Sequence, residues 1–245
     1  LTGGQAIRQL AFKKIGERNF NDAVFNTWGA SGLAAVWAEE NTRDSIFDAF
    51  RRKETYATSG SRIKLRFFGG YDLDATMLEK EDLIKEAYRK GVPMGQDLAP
   101  SEGKAPSFLI WDMRDKNAAP LQRVQIIKGW VEQTTGRPFE EVIDVACSDG
   151  LTPDPLTNRC PDNGALVDIS DCSISSDRGT NEIKTVWTDE SFDSAVKSFY
   201  YVRVLENPSC RWSTWDAVKN GTKPREDLKL TIQERAWSSP IWYSY

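Results

Sequence analysis

The sequence predicts an α+β, β-rich chain whose second part is an antiparallel β-sandwich-like domain. Three observations point there. Short apolar runs recur along residues 100–245. Clusters of Gly, Pro, Asn and Asp separate them at near-regular intervals, as strands joined by turns require. Segments with helical spacing are few and lie mostly before residue 91. The aromatic content, 9 Trp, 11 Phe and 7 Tyr among 245 residues, suffices for a large core.

Ile7, Leu10, Ala11 and Ile15 stand at helical spacing and predict a helix over residues 6–15. Residues 32–38 form a glycine-bounded apolar run, read as a strand or an extended entry to a helix. Thr42 and Asn41 offer an N-cap, Asp44 suits the first turn, and the run Arg51-Arg52-Lys53 suits the last. Ile46, Phe47, Ala49 and Phe50 are its expected core face. Gly60 stops the following segment. Ile63, Leu65 and Phe67 then alternate with Arg62, Lys64 and Arg66 as a half-buried strand.

Residues 77–90 read as a charged amphipathic helix or a solvated excursion, closed by Gly91 and Pro93. Strands are expected at residues 108–113, 124–131, 142–146 and 199–205. Ser213 is the expected cap of a short helix, and the tail 231–243 offers a strand broken by Pro240.

The balance of 32 basic and 36 acidic residues gives no basic surplus for nucleic acid or anionic membrane. No apolar stretch of about 18 residues is present to span a bilayer. The chain contains no histidine, which rules out a Ser-His-Asp device or a zinc site of two cysteines and two histidines built from it alone. Because Leu1-Thr2-Gly3-Gly4 is an unusual start, further sequence is expected upstream.

Cys147, Cys160, Cys172 and Cys210 permit three disulfide pairings. Sequential spacing favours Cys147–Cys160 and Cys172–Cys210, which would pin the polar region 147–182. Closing the shorter loop would stabilise the fold by about 3 kcal/mol in the chain-entropy treatment. Four thiolates on zinc and four free buried thiols are the alternatives. Disulfides imply an oxidising compartment, so a periplasmic or secreted bacterial protein is expected.

Tyr56, Thr58, Ser59 and Arg62 form the best candidate site. Hydroxyls and a guanidinium beside Gly60 can bind an oxyanion, though such clusters more often stabilise turns. Glu39 and Glu40 with Arg43 are a second candidate, either for acid–base work or for helix-start electrostatics. Asp149, Asp154, Asp162 and Asp168 could supply oxygen ligands to calcium, without EF-hand spacing. Trp212, Trp215, Trp237 and Trp242 could line a groove or fill the core.

Several runs resemble a known family. They are Ala35-Val36-Trp37-Ala38-Glu39-Glu40-Asn41-Thr42-Arg43-Asp44, Glu54-Thr55-Tyr56-Ala57-Thr58-Ser59-Gly60-Ser61-Arg62-Ile63, Arg66-Phe67-Phe68-Gly69-Gly70, Gln125-Ile126-Ile127-Lys128-Gly129-Trp130, Tyr200-Tyr201-Val202-Arg203-Val204-Leu205-Glu206 and Gln233-Glu234-Arg235-Ala236-Trp237-Ser238-Ser239-Pro240-Ile241-Trp242-Tyr243. Together they resemble the C-terminal portion of the bacterial family called domain of unknown function 3604, over nearly the whole chain. The Thr42-Arg43-Asp44 and Thr55 to Gly60 segments are also similar to the end of the catalytic domain in PHP-type metallohydrolases.

The resemblance implies residues 1–60 as the trailing strand and helix elements of a PHP-like (β/α) barrel and residues 61–245 as the β-rich domain. It implies a scaffold and substrate-shaping role in a metal-dependent hydrolase of the phosphoester or ester class. The divalent metal is expected upstream, with no cofactor in this chain, because the family's His-bearing metal motifs precede the matched segment. The expected partners are the N-terminal half of the same protein and a small-molecule substrate, with no nucleic acid and no membrane. The alternative is a non-catalytic binding or structural β-sandwich module.

Overall fold

The computed structural model describes residues 28–244 together with strands β1 (Phe12–Ile15) and β2 (Arg18–Asn21), which pair antiparallel. The helix expected over residues 6–15 is corrected where it is described: 12–15 are strand, and 6–11 lie outside the described residues. An apolar pattern that short fits either period.

The chain continues through β3 (Leu33–Val36), α1 (Arg43–Arg51), β4 (Thr55–Thr58), β5 (Lys64–Gly70) and a 3-10 turn at Ala75–Glu79. Next come α2 (Leu83–Lys90), β6 (Gly91–Pro93), β7 (Asp97–Leu98), β8 (Ser107–Met113), β9 (Leu121–Val131) and β10 (Pro138–Cys147). It ends with β11 (Glu182–Thr188), β12 (Ser198–Glu206), β13 (Ser209–Cys210), α3 (Trp212–Lys219), β14 (Thr231–Ile232), β15 (Arg235–Ser238) and β16 (Ile241–Tyr243).

The larger sheet has the order β10-β9-β12-β15-β4-β3, with β16 joining β12 and β7 joining β16. The smaller has the order β11-β8-β5-β6. Pairing in both is antiparallel except between β16 and β7. Alternation on β5 sends Leu65 and Phe67 to the face shared with Phe108 and Ile110 of β8. Opposite them stand Val124 and Ile126 of β9, Tyr200 and Val202 of β12, and Ala236 of β15. The two sheets therefore share one hydrophobic core. Each such side chain, fully buried, contributes roughly 1.5–3 kcal/mol. On the far face of the smaller sheet, Met77, Leu83 and Ala87 pack on Phe68 and Leu109. The amphipathic segment read over 77–90 is thus a lid on that face.

The resemblance implies trailing barrel elements before residue 60. No such barrel is present among the described residues: β3 and β4 are antiparallel, and β4 hydrogen-bonds β15 with Ala57 opposite Trp237. A division at residue 60 therefore cuts through one hydrogen-bonded sheet.

Helix α1 starts as its sequence dictates. Thr42 Oγ1 accepts from Ser45 N at 3.4 Å, with Asp44 in the first turn and Arg51 in the last. Its expected core face is wrong in part. Ala49 is buried, but Phe47 and Phe50 are 59% and 52% exposed. The helix follows β3, the last strand of the larger sheet, so its second apolar side meets no layer among the described residues. At α3 the expected Ser213 cap is also corrected. Arg211 is the N-cap, and Ser213 lies inside the helix, its Oγ accepting from Arg211 Nη1 at 2.7 Å.

The sequential pairing of cysteines is the one formed: Cys147–Cys160 and Cys172–Cys210. These pin the polar region 147–182, helped by Asp149, whose carboxylate accepts from Gly179 N at 2.9 Å.

Each end of the shared core carries a buried polar cluster. At the start of β12, Lys128 Nζ lies 2.6 Å from Asp189 Oδ2, which also accepts from Tyr200 OH at 2.7 Å. Ser191 donates to Asp189 Oδ1 at 2.9 Å. At the other end, Glu206 is buried beside Ser61, and neither Glu206 Oε1 nor Ser61 Oγ reaches a hydrogen-bond partner. Asp112, fully buried on β8, has no partner for either carboxylate oxygen.

Candidate functional site

The N-terminal edge of the larger sheet builds a pocket of 440 Å³ from the segment after β3 (Trp37, Ala38, Glu39), the turn between α1 and β4 (Arg52, Glu54), Arg66 of β5 and Tyr88 of α2. Arg66, on β5, lays its guanidinium over the Trp37 ring, 3.4 Å from the centroid. Trp37 is fixed in turn by donating Nε1–H to Leu65 O at 2.8 Å. Glu54 sits at the base, 3% exposed, between Arg66 (3.4 Å) and Arg52 (3.6 Å). Tyr88 from α2 closes one wall, donating to Glu54 and accepting from Arg66 Nη1 at 2.9 Å. Burial, then the Glu54 carboxylate, push the Tyr88 hydroxyl up to about 12. It stays protonated at neutral pH and can donate, but it is no base there. The pocket thus combines an aromatic wall, two guanidiniums and a buried carboxylate. Such a set can orient a polar substrate by charge-assisted hydrogen bonds.

The structure distributes the candidates unevenly around this pocket. Glu39 lines it. Tyr56 packs behind Trp37 with ring centroids 6.2 Å apart. Its hydroxyl is raised chiefly by burial, with Arg66 opposing. Glu40 and Arg43 remain exposed outside the pocket, and no ion pair joins Arg43 to either glutamate among the described residues.

Thr58, Ser59 and Arg62 lie at the far end of β4. Thr58 Oγ1 accepts from Gly60 N at 3.3 Å, and Gly60 adopts φ +147°, which its missing Cβ permits. Ser59 donates to Glu234 and accepts from Arg235 N at 2.9 Å. The Arg62 amide donates to Asp115 Oδ2 at 2.9 Å, while its side chain is exposed. Beside this turn Glu206 is pushed up to about 7, by burial first and then by Glu234 and Asp115. The nearby Ser61 hydroxyl offsets part of that rise without reaching hydrogen-bond geometry.

A model for the family described as "Protein of unknown function (DUF3604)" matches residues 4–245. The chain belongs to this family. Comparison with curated proteins and with solved structures gives no match. This DUF3604 member has two disulfides, which suit an extracellular or periplasmic environment. No helix among its described residues is long and apolar enough to cross a membrane.

Among the described residues no three His, Cys, Asp or Glu side chains converge as a metal-binding group. Three of the four aspartates weighed for calcium serve their own turns, and Asp149 holds a distant segment of the pinned region. Asp154 accepts from Leu156 N and Thr157 N, Asp162 from Gly164 N, Asp168 from Ser170 N, and Asp149 from Gly179 N. The four tryptophans weighed for a groove are spread over α3, β15 and β16.

Sequence reading passed over Trp37, Glu54, Arg66 and Tyr88 as site residues. Arg66 reads as the polar member of an alternating strand, and Glu54 as the end of a basic helix. One signal was available: an outward Arg on the strand after an aromatic-Glu-rich edge. It carries meaning only once β3, β5 and α2 are known to be neighbours.

Proposed function

We propose that this chain is the C-terminal, substrate-shaping portion of an exported metal-dependent hydrolase of the phosphoester or ester class. The observation that carries the reading is the edge of the larger sheet that bears the pocket. There β3 is the terminal strand, so its outer backbone groups face no partner strand among the described residues. Trp28, Leu33, Phe47 and Phe50 are each more than two-fifths exposed on the same stretch of chain. Apolar residues beside an open strand edge suit coverage by another part of the protein. On this reading the two sheets form a sandwich-like buttress, and the N-terminal half of the same protein covers the edge. A divalent ion held by that half would supply hydroxide and polarise the scissile group. The pocket residues Arg52, Arg66 and Tyr88 would orient substrate at the junction.

Turnover of bis(p-nitrophenyl) phosphate and p-nitrophenyl acetate tests this. The full-length protein is expected to hydrolyse at least one of them and to lose activity on chelation, while this chain alone stays inert. Arg52→Ala in the full-length protein should raise KM roughly tenfold with kcat kept, as loss of a charge-assisted contact made equally in ground and transition states would do. Hydrolysis by the isolated chain would overturn the proposal. An intact protein without metal or turnover would favour the non-catalytic binding or structural module instead.

A further inference from the structure

A second cavity, of 780 Å³, opens beside β14 and the start of β15. Its volume falls within the range of small-molecule sites, about 300–1,000 Å³. Both disulfides brace it. Cys160, bonded to Cys147 of β10, lines one wall. The opposite wall is β14, whose Thr231 pairs with Cys210, the partner of Cys172. Crosslinks on two facing walls limit how far the cavity can open or collapse.

The lining is basic. Arg123, Lys229 and Arg235 face it, against Asp162 alone among carboxylates. Arg123 is already held: its Nη1 lies 3.4 Å from Asp144, but that carboxylate also serves Arg159 at 3.3 Å, Gln125 Nε2 at 2.6 Å and Cys160 N at 2.8 Å. One buried carboxylate thus answers two guanidiniums, and Arg123 Nε is buried with no hydrogen-bond partner. Arg235 uses only its Nε, donating to Gln233 O at 3.0 Å, and no carboxylate pairs with Arg235 or Lys229 among the described residues. The neighbouring amides are locked: Gln233 Nε2 donates to Gln122 Oε1 at 2.8 Å, and Gln122 Nε2 to Asn163 Oδ1 at 3.0 Å. Locked amides keep the floor in one shape. The Arg235 Nη donors and the Lys229 ammonium, facing the cavity with no carboxylate paired to them among the described residues, are the donors that an oxyanion could accept from.

We propose that this cavity binds a small organic anion, with Arg123, Arg235 and Lys229 gripping its carboxylate, phosphate or sulfate oxygens. Nothing in this depends on the hydrolase reading, because the site lies outside the edge pocket.

Calorimetric titration of the full-length protein at low ionic strength, with citrate, inorganic phosphate and sulfate as probes, tests it. Saturable binding of citrate, tighter than that of the two inorganic ions, is expected. Arg235→Gln and Lys229→Gln should each weaken it about tenfold, equivalent to ~1.4 kcal/mol. Arg52→Ala, in the other pocket, should leave it unchanged. Equal binding of all three anions that is still lost in both variants supports an oxyanion site without organic selectivity. No saturation by any probe in the millimolar range overturns the proposal. So does binding that both cavity variants retain, with circular dichroism confirming that they are folded.

Discussion

The two ends of β12 hold buried charge in opposite ways. At Tyr200 the cluster is complete: Lys128 neutralises Asp189, and Tyr200 and Ser191 fill the remaining carboxylate sites. At Glu206 it is incomplete, with Glu206 Oε1 and Ser61 Oγ lacking partners. The protein thus keeps a full ion pair where β9 and β12 meet the loop after β11, and tolerates a protonated carboxyl where the turn at residues 59–62 meets β15. A buried carboxyl is tolerated when a cation pairs with it and when it keeps its proton.

The largest effect expected is at the complete end. Lys128→Met should cost about 3–5 kcal/mol in urea unfolding, because Asp189 is left as an uncompensated buried charge. Adding Asp189→Asn should recover much of that loss. A cost below ~1 kcal/mol for the single variant would erase the contrast.

The next effect sits at the incomplete end. Glu206 is near 7 when folded, against 4.5 as its ordinary value. The folded state therefore holds a proton that the unfolded state has released. Stability from this group is full below pH 4.5, declines as pH rises through 7, and totals about 3 kcal/mol. The chain has no histidine to titrate in that window, so the slope should be legible. Glu206→Gln should reduce the pH slope of urea midpoints between pH 4.5 and 8, leaving the share that belongs to Asp112; an unchanged slope would place the protonation elsewhere.

A smaller change is expected on β8. Burial raises the Asp112 carboxyl well above its usual range. Asp112→Leu should cost less than ~1 kcal/mol or stabilise, since an unpartnered polar group gives way to an apolar one of similar size. Marked destabilisation would reveal a contact that Asp112 makes in solution. An effect of comparable size belongs to the open edge. Thr42→Ala removes the α1 cap and should cost ~1 kcal/mol, read as a lowered Tm.

The elements that were legible in sequence are those governed by near neighbours. The strand through Leu65 and Phe67 shows in its alternation, and the α1 start shows in Thr42, Asp44 and Ser45. Strand β11 was not legible, because Glu182, Lys184 and Thr185 dilute its apolar pattern. It is fixed by pairing with β8 along its length. Phe47 and Phe50 misled because helical spacing identifies an apolar face without saying whether a layer covers it. Of the candidate site, Glu39 and Tyr56 were legible as residues, but their placement around Trp37 and Arg66 was not.

By itself the sequence determined the β-rich class, a preference for the sequential cysteine pairing and the absence of histidine from this chain. These follow from composition, local period and spacing, which act over a few residues; the family showed in the resemblance of whole runs. Tertiary structure alone decided that β4 pairs with β15, that Arg66 lies on Trp37, and that both disulfides brace one basic cavity. Each of these joins residues far apart in the chain. Such contacts form only when two sheets close on a shared core, and no local pattern encodes which strands will meet.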